Sequence, residues 1–119
     1  MLSIGDLKIE NPIIQGGMAI RASMAKLAAA VANEGGIGVI AGTALSIDEL
    51  KKEIKKAKDM IVNKGGALGV NIMYATTDFM DLVHASIEAG IVTEDLAQNG
   101  KSYKTSEVGQ WIADYIKNK

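Results

Sequence analysis

Ile37-Gly38-Val39-Ile40-Ala41 is an unbroken apolar run without polar alternation, the pattern of a parallel strand covered on both faces. Before it, Leu27, Ala28, Val31 and Ala32 recur at one-, three- and four-residue steps. That spacing predicts a helix capped by Ser23, with these residues facing inward, and stopped by Gly35-Gly36. Further upstream, Ile13-Ile14-Gln15 follows Asn11-Pro12 and runs into Gly16-Gly17, which reads as a buried strand ending in a glycine turn. Downstream, Ser46-Ile47-Asp48-Glu49 makes a capping box opening a helix with Leu50, Ile54, Ala57 and Ile61 inward. Its other face, Lys51, Lys52, Glu53, Lys55, Lys56, Lys58 and Asp59, reads as solvated surface. Gly65-Gly66 ends that helix ahead of a third buried strand, Leu68-Gly69-Val70-Asn71-Ile72-Met73. Thr77 then caps a third helix, with Phe79, Leu82, Val83 and Ile87 on one side and Gly90 at its end.

The strands start at Ile13, Ile37 and Leu68, 24 and 31 residues apart, the length of a βα unit. Three such units in tandem predict an α/β fold with side-by-side parallel strands and the helices on one face. Leu2, Ile4, Leu7 and Ile9 around Gly5-Asp6 predict a short hairpin at the start. After Val92 the repeat stops. Thr93 to Gly100 is polar and turn-like, and from about Thr105 the spacing of Val108, Trp111, Ile112, Tyr115 and Ile116 predicts an amphipathic helix despite Gly109. The expected division is residues 1–92, the βα repeat, and 93–119, a divergent loop and C-terminal helix.

Composition removes several function classes. The 119 residues hold 13 Lys+Arg against 14 Asp+Glu, a formal charge of −1, and no basic run beyond Lys51-Lys52 and Lys55-Lys56, so no nucleic-acid footprint is expected. No cysteine and one histidine, His84, exclude a thiol nucleophile, a Cys-based zinc site and a His-rich metal site. The longest uncharged stretches, Gly35 to Ile47 and Gly65 to Thr77, are 13 residues each, short of the roughly 20 a membrane helix needs. The N-terminus lacks a basic start and a long apolar core, so a cytoplasmic location is expected.

Most candidate motifs reduce to structure. Gly100-Lys101-Ser102 fails as a phosphate loop because Asp95 occupies the position of the required glycine. Gly35-Gly36-Ile37-Gly38 precedes a strand, whereas the dinucleotide fingerprint follows one. His84 reads as a solvated side chain paired with Glu88, and the pairs Asp78/Asp81 and Glu94/Asp95 fit a helix start and a loop rather than acid–base chemistry. Asn71 differs. An amide inside an apolar strand needs a partner or costs about 1–3 kcal/mol. That partner is either neighbouring backbone or a heteroaromatic ligand at the carboxyl ends of the strands, where parallel α/β folds place their sites. Gln15-Gly16-Gly17-Met18 and Thr43 lie at the equivalent ends of the first two strands.

Three segments carry a resemblance: Pro12 to Met18, Ala32 to Ile40, and Leu68 to Met73. In this order they resemble the opening of the nitronate monooxygenase family, also called 2-nitropropane dioxygenases, which the flavin-type enoyl-acyl-carrier-protein reductases share. The resemblance covers about residues 1–92 and does not separate the two activities. It implies part of an FMN-containing TIM barrel, with Gln15, Gly16, Gly17 and Met18 against the flavin ring, Asn71 on the ring's polar edge and Thr43 lining the same mouth. Its substrate would be a small molecule, an alkyl nitronate oxidised with O2, or alternatively an enoyl thioester reduced with NADH.

A TIM barrel runs to about 250 residues and grips phosphate after its seventh and eighth strands. Those loops, and the family's histidine-bearing segment, have no counterpart here. The expectation is a truncated homologue in which FMN is held weakly or not at all by the isolated chain, with exposed sheet edges inviting a second copy. A non-catalytic interaction module is the competing expectation, and a small domain binding another ring-bearing metabolite is a third.

Overall fold

The computed structural model describes residues 1–91. The polar stretch from Thr93, the Gly100-Lys101-Ser102 segment and the expected terminal helix lie outside the described residues. Strands β1 (Leu2–Ile4) and β2 (Leu7–Ile9) form the expected antiparallel hairpin, with Gly5 at φ 58° in the turn. Then follow α1 (Ala25–Asn33), β3 (Ile37–Ala41), α2 (Ile47–Met60), β4 (Ala67–Asn71) and α3 (Phe79–Glu88). β3 and β4 pair in parallel, Ile37 opposite Ala67 and Ala41 opposite Asn71.

The first predicted strand shrinks to a single parallel bridge, Ile14 to Ile37, made by Gln15 N–H to Ile37 O and Ile37 N–H to Ile13 O, both 2.9 Å. Beyond it the ladder continues through a side chain. Gln15 Oε1 accepts from Val39 N at 3.1 Å and Nε2 donates to Val39 O at 3.2 Å, standing in for the backbone that Gly16-Gly17 carries away. Ile13 and Ile14 are exposed rather than buried, because among the described residues nothing lies along their outer edge.

One face of the sheet carries the helices. Ile40, Leu68, Leu50, Ile54, Leu82 and the alanines of α1 make a continuous core there. α1 lies almost on the sheet. A Cβ at Gly38 would overlap the Ala28 carbonyl, and one at Gly66 would overlap that of Ala32. Only alanine fits so close an approach, which is why Ala25, Ala28, Ala29 and Ala32 are buried while Leu27, expected inward, is 44% exposed. On the opposite face the hairpin closes the start of the strands, packing Ile9 against Ile37 and Ala67.

The helix ends follow tertiary contacts more than local signals. Gly35 (φ 85°) and Gly90 (φ 88°) follow α1 and α3 as expected, but α2 stops at Met60, ahead of Gly65-Gly66. Asn33 Oδ1 takes the amides of Val62 and Asn63 at 2.8 and 3.2 Å and fixes that exit. Ser46 Oγ caps α2 by accepting from Glu49 N, while the Glu49 carboxylate bonds Arg21 at 2.8 Å. Neither Ser23 nor Thr77 is a helix cap. α1 begins after Met24 and α3 after Asp78, and neither of these residues caps through its side chain.

The α1 terminus is capped from another helix: Glu53 Oε2, on the face expected to be solvated, accepts from Ala25 N at 2.9 Å. Glu53→Ala is expected to cost about 0.5–2 kcal/mol, the range for losing an N-cap acceptor, and Glu53→Gln to recover most of it. Urea denaturation of the two variants checks this, and equal losses would contradict the capping role.

Candidate active site

The carboxyl ends of the strands gather the segments that the sequence singled out. Gly17 folds back over the sheet face opposite the helices. A Cβ built on it would meet Asn71 Cβ at 2.8 Å, Val39 Cγ1 at 3.2 Å and Ala41 Cα at 3.6 Å. The turn and the tip of β4 are therefore in direct contact. Gly16 faces open space, with nothing within 4 Å of where its Cβ would be. Its backbone offers a bare surface to anything flat that lies against it.

Asn71 is exposed, not buried among apolar neighbours, because it is the last residue of β4 and its side chain reaches the open end of the sheet. Its carbonyl accepts from Gly42 N at 2.8 Å, but its amide makes no hydrogen bond among the described residues. Among the described residues the backbone partner thus belongs to the main chain only, and both ends of the side-chain amide are left to donate and accept. Thr43 Oγ1 accepts from Met73 N at 2.9 Å and holds the chain leaving β4 against the chain leaving β3. Met18 and Met73 are 67% and 59% exposed on the two loops that rise from this end.

Gln15 is placed differently from its neighbours. Its amide is spent inward, on Val39, on Gly16 O at 2.6 Å and on Ser23 Oγ at 3.2 Å. It supports the turn rather than lining the surface. Ser23, buried at 2% exposure, also accepts from Met18 N at 2.8 Å. Sequence reasoning placed Ser23 at a helix start, and a serine just ahead of an apolar helical stripe carries no local sign of any other role.

None of the residues 15–18, 41–43 and 71–73 is ionisable. These strand-tip segments present backbone, an amide and a hydroxyl, with no acid or base among them. The ion pairs lie elsewhere. Lys51 Nζ bonds Glu88 at 2.9 Å and keeps that exposed carboxyl below its ordinary range, with His84 adding a smaller effect. His84 is exposed on α3, and the partner expected for it is held by Lys51. Lys55 is raised by Asp59 one turn away. An open groove of about 360 Å³ lies along the outer edge instead, lined by Asn11, Ile13, Ala30, Val31, Glu34 and Gly36, and includes none of the strand-tip residues.

This geometry has known relatives. The family model for nitronate monooxygenase matches residues 2–116. The chain belongs to the nitronate monooxygenase family. The match runs past residue 92, where the motif resemblance ends. A curated relative from Mycobacterium tuberculosis (strain ATCC 25618 / H37Rv), (3aS,4S,5R,7aS)-5-hydroxy-7a-methyl-1-oxo-octahydro-1H-indene-4-carboxyl-CoA dehydrogenase, is 39% identical over 83 residues. That alignment covers 70% of this chain and 22% of the relative. Among solved structures, FabK from Thermotoga maritima superposes with a TM-score of 0.61 at 40% identity, over 67% of this chain and 24% of FabK. A point mutant of the same FabK matches equally, over 26% of its length. This member of the nitronate monooxygenase family thus spans about a quarter of the length of the relatives it matches. No helix among the described residues is long and apolar enough to cross a membrane.

Proposed function

We propose that the strand-tip site holds the isoalloxazine ring of FMN, and that this chain carries the opening βα units of a TIM-barrel oxidoreductase of the nitronate monooxygenase type. The observation that carries this reading is the pairing of a bare glycine turn with a free amide. Gly16 leaves backbone open to a ring face, Gly17 brings that backbone down to the strand tips, and Asn71 presents donor and acceptor beside it. Gly16, Gly17, Met18, Thr43 and Asn71 would surround the ring, with Gln15 behind the turn. The residues present fit a flat heteroaromatic ring, and nothing among them grips a phosphate. When bound, FMN would supply the redox chemistry for oxidising an alkyl nitronate with O2. The protein's part is to orient the ring and exclude water from one of its faces.

A second reading, an NADH-dependent enoyl-thioester reductase, is favoured by the 40% identity to FabK. Both readings share the ring site and differ in the substrate placed above it.

Fluorescence titration of FMN with the chain tests the ring site. The expected result is saturable but weak binding, with a dissociation constant above the micromolar level, and Asn71→Leu weakening it by about 1–3 kcal/mol, the range for losing a hydrogen-bond partner. No saturation, or an affinity unchanged by Asn71→Leu, would count against the assignment. Light scattering on the same samples reads whether the open Ile13–Gln15 edge recruits a second copy, as a mass above the 12.5 kDa of one chain.

A further inference from the structure

Every polar atom of Ser23 is engaged. Its N–H donates to Met18 O at 3.0 Å and its carbonyl accepts from Ala41 N at 2.8 Å at the end of β3. Its hydroxyl oxygen accepts from Met18 N at 2.8 Å and Gln15 Nε2 at 3.2 Å, and stands 3.5 Å from Gly16 O. One buried residue therefore closes the loop from Met18 and fastens both that loop and the glycine turn to the sheet. The hydroxyl takes no part in the α1 terminus, where Met24 makes no side-chain cap bond and the Ala25 amide goes to Glu53.

The main-chain bonds of Ser23 would hold the loop near β3 with any side chain. What the hydroxyl adds is local. It is the partner of the Met18 amide and one of three acceptors around Gln15 Nε2, so it sets how the Gly16–Met18 segment sits above the strand tips. Without it, the Met18 N–H loses its partner in a half-buried place and the turn gains freedom to tilt, while the core beneath keeps all its contacts.

We infer that Ser23 is a positioning residue: its hydroxyl, acting through Met18 N–H and Gln15, fixes the turn that faces the bound ring. The ligand side of this inference rests on the ring-binding reading above. The alternatives elsewhere carry less. The open groove beside Ile13 has nothing in the structure to name its occupant, and the lysines of α2 are largely paired or solvated.

The test is Ser23→Ala in the full chain, read two ways. The first is amide hydrogen exchange by NMR without ligand. Met18 is expected to exchange at least about tenfold faster, while Ala41, whose amide binds the Ser23 carbonyl, and Ile54 in the middle of α2 stay as protected as before. Unchanged exchange at Met18, or acceleration spread equally to Ile54, would overturn the inference, the latter because it marks general destabilisation. The second is the visible absorption band of added FMN. The variant is expected to bind about tenfold more weakly and to shift the band less at saturation, a signature that loss of stability alone does not move. A variant that binds and shifts FMN as the parent does would overturn the ligand half of the inference. A parent chain that never shifts the FMN band would sink the ring-binding reading instead, and the exchange experiment would still decide whether Ser23 sets the turn.

Discussion

Gly38→Ala is expected to lower the melting temperature by more than about 12 °C, a disproportionate effect for one methyl group. The new Cβ would overlap the carbonyl of Ala28, a backbone atom in the middle of α1, so no side-chain rotation can relieve it. α1 would have to lift from the sheet, opening the alanine layer that seals the core around Ile40 and Leu68. Overpacking a well-filled core costs about 1–3 kcal/mol and more where backbone must move. We expect the upper end or beyond, against the roughly 5–15 kcal/mol that holds a domain together. At about 4–8 °C per kcal/mol for a domain of this size, the melting temperature should fall by more than about 12 °C. Gly69→Ala is the control. It changes the neighbouring strand on the other face, where the nearest atoms to a Cβ are Val39 Cγ2 at 3.5 Å and Ile37 Cγ2 at 3.9 Å, ordinary contacts. Thermal unfolding followed by circular dichroism should find this variant within about 1 kcal/mol of the parent. Equal losses in the two would show that the close approach of α1 is not what Gly38 permits.

Gly17→Ala and Gly16→Ala are expected to separate fold from site. At Gly17 a Cβ lands 2.8 Å from Asn71 Cβ and 3.2 Å from Val39 Cγ1, so the turn must rise off the strand tips and carry Gly16 and Met18 with it. At Gly16 nothing stands in the way, and the chain should fold as before. If the ring lies against that backbone, however, the added methyl occupies the ring's own place. Both variants should therefore weaken FMN binding by about tenfold or more, roughly 1.4 kcal/mol or above. Only Gly17→Ala should disturb the amide resonances of Asn71 and Val39 in the absence of ligand. Titration and NMR spectra of the free chains read the two effects independently. A Gly16→Ala variant that binds FMN like the parent would remove the turn from the ring's surface.

The convergence of the strand tips was legible before any coordinates. The three glycine- or amide-bearing strand ends converge as their positions in a parallel repeat require, since successive parallel strands put their carboxyl ends on one side. Gly17 and Asn71, 54 positions apart in the chain, touch for that reason. The side-chain roles were less legible. Gln15 was read as a ring contact and Ser23 as a helix cap, yet both turn inward to support the loop. Asn71 was read as a buried amide and stands at an open tip. Each depends on where a strand stops, and a strand's last residue is decided by its neighbours' hydrogen bonds.

From its residues alone this chain specified the hairpin, the order of the three helices, the parallel pairing of the second and third predicted strands, and, through its motifs, the family. The hairpin, the helices and the paired strands follow from hydrophobic period and turn residues, signals that act over a few neighbouring residues, while the family rests on the resemblance of three short motifs. Only the tertiary structure decided that α1 sits on Gly38 and Gly66 and so turns Leu27 outward. It alone placed Glu53 of α2 as the cap on α1, and Ser23 and Gln15 as the clasp of the glycine turn. Those outcomes depend on distances between segments remote in the chain, and no local pattern encodes a distance that packing alone creates.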